Sequence, residues 1–142
     1  RGGMLIGSCL AGVAFTKGLG LVHSISHMIG AEYNTQHGLT NAIILPAVMK
    51  FNLPHVGEKV SFVSSAMDLK DASTDLIVKE IEQILDYVDI PRSLSEIGVP
   101  LECKKRIAKK AMLDSATGTN PRVAQIKDVE ELTEISILSA RA

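Results

Sequence analysis

The chain has no tryptophan, and only three Phe and two Tyr among 142 residues. A core built from it must therefore be aliphatic. It has two cysteines, Cys9 and Cys103, far apart in the sequence. Two such thiols do not make a disulfide scaffold, so they are read as free thiols of a reducing cytoplasm. Charge of either sign is not in excess: 15 Lys and Arg against 16 Asp and Glu give a net charge of −1. No basic surplus calls for nucleic acid or an anionic membrane. No apolar run reaches the roughly 20 residues that a bilayer requires. The uncharged stretch from Gly2 to Thr16 faintly resembles a secretory signal, but its Gly and Ser content suits a buried helix of small residues better. No glycine-rich strand–turn–helix unit is present, so the chain offers no dinucleotide fold of its own.

What remains is a composition of ordinary globular type, 46% apolar and 22% charged, long enough to bury one core. Strand signals are weak and helix signals frequent. Met4 to Lys17 reads as a buried helix stopped by Gly18 and Gly20. Leu21 to Ile29 reads as a second, with Gly30 as its C-cap and Ala31 to Gln36 as a loop. Gly38 to Phe51 is a third, kinked at Pro46, and Val56 to Met67 a fourth. Ser73 to Tyr87 is the clearest amphipathic helix, with Leu76, Ile77, Ile81, Ile84, Leu85 and Val88 at three- and four-residue steps. Ser93 and Glu96 match a capping box. Leu101 to Asp114 is helical, and Lys104, Lys105, Arg106, Lys109 and Lys110 form its solvated basic face. Thr117 to Arg122 is a polar loop. Asp128 to Leu138 is the last helix, with acid near its start. No linker divides the chain. The expectation is one all-α domain over residues 1–142, a multi-helix bundle of about seven helices.

Three of the four histidines, His23, His27 and His37, fall within 15 residues. The four-residue step from His23 to His27 puts both on one helix face. A tight return can bring His37 beside them. Imidazole is a good ligand for Zn, Fe, Cu or Ni. Two or three His do not complete a catalytic metal site, and no acidic residue completes a local motif; Glu32, nearby in the loop, is as readily a solvated residue as a ligand. At this point two readings stand, packed hydrogen-bonded imidazoles or a metal and catalytic cluster. His55 and the Met28 and Met49 side chains are assigned to surface and core respectively.

The segment Gly20-Leu21-Val22-His23-Ser24-Ile25-Ser26-His27, then Gly30, then His37-Gly38-Leu39-Thr40-Asn41-Ala42 and Pro46, resembles the C-terminal signature of the iron-containing (group III) alcohol dehydrogenases. Asp114 followed by Thr119-Asn120-Pro121-Arg122 resembles a second feature of that family. The resemblance covers essentially the whole chain. It implies an all-helical domain like the C-terminal domain of dehydroquinate synthase, with an N-terminal domain that binds NAD or NADP lying outside this chain. It implies His23 and His37 as two metal ligands, the family's Asp and remaining His lying upstream of the chain. It implies that His27 is not a ligand but sits near the nicotinamide and helps move the proton. Fe(II) is the implied metal, with Zn(II) as the alternative. The reaction implied is hydride transfer between a small alcohol and its aldehyde or ketone, in a cytoplasmic enzyme; the family often forms dimers or larger assemblies, and the oligomeric state stays open. The chain does not begin with Met and reads as a fragment or processed piece, of weak metal affinity and inactive alone.

Two other readings compete: a zinc-dependent relative such as a glycerol dehydrogenase or dehydroquinate synthase, and a helical module with no catalysis of its own. The Asn41-to-Pro46 stretch favours the alcohol dehydrogenases. The Thr119–Arg122 loop is read as a structural turn locked by an Asp114–Arg122 ion pair, in preference to a wall of the site.

Overall fold

The computed structural model describes residues 1–139, and among these there are seven α-helices and no strand. The helices are α1 (Gly2–Ala14), α2 (Leu21–Tyr33), α3 (His37–Asn52), α4 (Lys59–Ala66), α5 (Thr74–Tyr87), α6 (Lys104–Ala111) and α7 (Ile126–Leu138). Short 3-10 turns link them, including Ser95–Ile97, Leu101–Cys103 and Ser115–Thr119. The all-α bundle read from the sequence is the observed architecture.

Helices α2 and α3 form the centre, with α6 and α7 packed on one side and α5 on α3. Leu21, Ile25 and Ile29 descend one face of α2 at four-residue steps and are fully buried. They meet Ile43, Ile44 and Val48 of α3, Ile107 of α6 and Val129 of α7 in one aliphatic cluster. Each such side chain contributes about 1.5–3 kcal/mol by leaving water. A smaller cluster of Leu53, Ile77 and Val78 seats α4 and α5. Met28 packs against the first cluster and Met49 against the second, as core filler. His55 is exposed.

Several boundaries differ from the sequence reading. α2 does not stop at Gly30; it runs on to Tyr33, where Asn34 adopts the left-handed conformation (φ 51°) and donates its N–H to the Gly30 carbonyl. Asn tolerates that conformation, so it replaces the glycine cap. The loop shrinks to residues 34–36. Glu32 therefore lies on the last turn of α2. It is not a free solvated side chain: it accepts from Arg106 at 2.9 Å and Lys110 at 2.6 Å across on α6. Lys104 likewise pairs with Glu134 of α7 at 2.7 Å. The basic face of α6 is partly a set of interhelical clamps rather than a merely solvated surface. α4 begins later than expected, at Lys59, because Gly57 takes a positive φ of 56° and turns the chain just before it. On α5, Ile77 and Leu85 are buried while Ile84 is exposed, as is Val88 just past the helix end.

The largest departure is α1. The sequence reading makes it a buried helix, yet none of its residues is buried; Met4 is 80% and Leu5 73% exposed. Its apolar residues surround the helix, the signature of burial, but none of the described elements covers it. Among the described residues no single helix is long and apolar enough to cross a membrane.

Candidate metal and proton-transfer site

The site begins with how the chain enters α2. Gly18 has φ 105°, and a Cβ there would fall 2.6 Å from that of Thr119, so only glycine allows this approach. The Thr119 hydroxyl accepts the Leu19 N–H at 3.1 Å. Asn120 Oδ1 accepts the Leu21 N–H at 3.1 Å, satisfying a donor that the first turn of α2 leaves open. Asn120 also exchanges two hydrogen bonds with Asn52 at the end of α3, at 2.9 and 2.7 Å. One loop residue thus ties the start of α2 to the end of α3. The Asp114–Arg122 ion pair expected from the sequence does not form. Arg122 instead stacks on the Phe51 ring, 3.7 Å from its centroid, and Asp114 turns to His27.

The connection at 34–36 then returns the chain so that α3 opens beside α2. Gln36 is its N-cap and accepts the Leu39 N–H. His37 is consequently brought to His23 and His27. Ring centroids are 5.4 Å apart for His23–His37, 5.4 Å for His27–His37 and 5.8 Å for His23–His27. All three histidines singled out in the sequence share one cluster, and His55 is not part of it.

Asn41, one turn into α3, reveals how the rings are aimed. Its amide nitrogen lies 3.0 Å from His37 Nε2 and 3.4 Å from His23 Nε2. An amide N–H can only donate, so both Nε2 atoms present lone pairs to the same point. Asn41 Oδ1 meanwhile is buried with no partner. Two imidazole lone pairs converging on an electropositive group form the donor arrangement that a divalent cation requires, and His23 and His37 fit two places of a metal site. Among the described residues no group of three or more His, Cys, Asp or Glu completes one.

Burial lowers the His23 pKa from its ordinary value, helped by His37 and His27 and opposed by Asp114. The shift favours the neutral form, the state in which imidazole ligates. His27 lies differently. Its Nδ1 is 3.0 Å from Asp114 Oδ2. Burial pushes the Asp114 pKa up, but the Ala116 N–H and His27 outweigh it, and the net shift is downward. Phe15 covers His23 edge-on at 5.3 Å. An apolar cavity of about 590 Å³ between the α1 end and α3 opens onto His23 and Asn41.

The sequence reading missed Asp114 and Asn41 as parts of the cluster. Asn41 had a signal, since it stands one helical turn beyond His37; Asp114, 87 residues from His27, had none beyond its place in the second family feature.

The fold and cluster define an all-helical domain in which three histidines from two adjacent helices meet, one of them held by a carboxylate. The chain belongs to the iron-containing alcohol dehydrogenase family: the model described as "Fe-containing alcohol dehydrogenase family, C-terminal" matches residues 1–137. It is 38% identical to lactaldehyde reductase of Escherichia coli strain K12 over 136 residues, 91% of this chain and 36% of that protein. It is 38% identical over 144 residues to the NAD-dependent methanol dehydrogenase of Bacillus methanolicus, covering 93% of this chain and 36% of that one. Among solved structures, an alcohol dehydrogenase from Oenococcus oeni superposes with a TM-score of 0.83 at 30% identity, over 89% of this chain and 35% of that one. A 1,3-propanediol oxidoreductase superposes with a TM-score of 0.78 at 27% identity, over 84% and 33%. The chain thus spans about a third of the length of these relatives.

Proposed function

We propose that this chain is the helical, metal-holding part of a cytoplasmic NAD(P)-dependent alcohol dehydrogenase that interconverts a small alcohol with its aldehyde or ketone. The observation that carries the reading is the convergence of the His23 and His37 Nε2 lone pairs on one point. Family membership and the names of the relatives, which act on lactaldehyde and methanol, support the substrate class. His23 and His37 hold two positions of the metal, Fe(II) with Zn(II) as the alternative. The remaining ligands and the nucleotide site belong to the part of the relatives' length that this chain does not span. When bound, the cation supplies Lewis-acid polarisation of the substrate oxygen, and the nicotinamide supplies the hydride chemistry.

This chain's own residues do the rest. The lowered His23 pKa favours the unprotonated form of one ligand. His27, stacked on His37 at 17° between ring planes, takes the proton released as the alcohol is oxidised and returns it in the reverse direction; an imidazole is well matched to that task near neutral pH. The apolar lining of the cavity beside His23 suits a short carbon chain.

The test uses the full-length protein that carries this chain. Elemental analysis should find iron or zinc at about one equivalent, and absorbance at the nicotinamide band should rise with NAD or NADP and a panel of short alcohols. A metal-free protein that oxidises these alcohols at full rate would overturn the reading.

A further inference from the structure

We infer that Asp114 is a positioning residue that fixes which nitrogen of His27 carries the proton. This rests on the proposed dehydrogenase reading for its kinetic consequence, but not for its structural one. Asp114 follows α6, its N–H donating to the Ala111 carbonyl at 3.1 Å. One carboxylate oxygen, Oδ1, accepts the Ala116 N–H at 2.8 Å. The other, Oδ2, is left to meet His27 Nδ1 at 3.0 Å. The Asp114 side chain is only 14% exposed, so neither oxygen is free to swing into water. The Thr117 hydroxyl adds a 2.6 Å bond to Ala111 O and holds the same turn.

An ionised carboxylate can only accept, so Nδ1 of His27 must carry the hydrogen. A neutral His27 then has its lone pair on Nε2. The other ionisable groups facing it are His23 and His37, whose Nε2 lone pairs are turned to Asn41. Asp114 thereby gives His27 a proton-accepting Nε2, so that proton uptake at Nε2 and release from it need no ring flip. The carboxylate, whose pKa is lowered, also steadies the imidazolium once Nε2 is protonated.

Asp114→Asn separates this role from that of a structural staple. The amide keeps the size and hydrogen-bonding reach of the carboxylate. If its oxygen stays on the Ala116 N–H, its NH2 group faces His27 Nδ1 and demands a lone pair there, moving the ring hydrogen to Nε2. The readout independent of activity is ¹⁵N NMR of the imidazole nitrogens in full-length protein labelled at histidine and prepared without metal. Wild type should show His27 protonated at Nδ1, and Asp114→Asn at Nε2. Metal content should be unchanged, and kcat should fall by at least about tenfold with little change in KM, the wrong-tautomer effect. An unshifted His27 tautomer in the variant would overturn the inference, as would an unchanged kcat in a protein whose tautomer has moved. If wild type lacks dehydrogenase activity altogether, the functional reading fails while the NMR result still decides the tautomer.

Discussion

His23, His27 and His37 have the same side chain and three different surroundings. His23 is partly buried and has its pKa lowered, first by burial and then by its two neighbours. His37, at the exposed start of α3, shares the Asn41 amide with it. His27 has a carboxylate on Nδ1. Its proposed task is the proton, not the metal. His27→Ala in the full-length protein should therefore retain metal while losing about 10²–10⁴-fold in kcat, the usual weight of a general acid–base; elemental analysis and initial rates on one preparation check both halves. Metal loss from this variant equal to that from His23→Ala would reverse the division of roles. The three histidines were legible in the sequence because His23 and His27 fall on adjacent turns of α2 and a short return brings His37 at the start of α3 beside them. Asp114 was not. Local sequence made Arg122 its natural partner eight residues on, but the Asn120 turn directs Arg122 to Phe51 instead.

At the scale of elements, the site depends on two joints that hold α2. The first is Asn120, which accepts from Leu21 N–H and pairs with both the NH2 and the oxygen of the Asn52 amide. Asn120→Ala leaves a helix N–H and a paired amide without partners and should destabilise the fold by about 1–3 kcal/mol, measured by denaturant unfolding. The second is the Glu32 clamp to α6. Hydrogen bonds from Arg106 and then Lys110 hold the Glu32 pKa below the ordinary glutamate value, against a smaller upward push from burial. A depressed folded pKa means this stabilisation is fully present above the ordinary glutamate pKa and is lost as pH falls through the lowered value. Glu32→Gln should melt about 2 °C lower than wild type at pH 7, the scale of a surface network. The two melting temperatures should converge in acid; a gap that persists at pH 2 would show that charge is not the cause. Helix existence was readable from periodicity for α5 and from patterning for α2 and α3. The end of α2 was not, since Gly30 and Asn34 both carry cap chemistry and only tertiary packing against α6 selects Asn34.

At the scale of the whole molecule, aliphatic patterning without aromatics suffices for a bundle whose centre is α2 and α3, and the all-α class follows from it. Burial of α1 did not follow, because the reading assumed that an apolar helix finds its cover within the described residues, and here it remains exposed. The proposed metal site is incomplete in the same sense. Two imidazoles converge, and no third ligand joins them among the described residues. The 142-residue chain should accordingly bind Zn(II) or Fe(II) far more weakly than the full-length protein, by at least about a hundredfold, the scale at which loss of even supporting partners is felt. The most direct measurement is metal stoichiometry in the full-length protein and in its His23→Ala and His37→Ala variants, by elemental analysis after dialysis, with folding verified by circular dichroism. Both variants should lose the ion that wild type keeps. A folded variant of either kind that retains a full equivalent would mean that the two imidazoles do not share a metal.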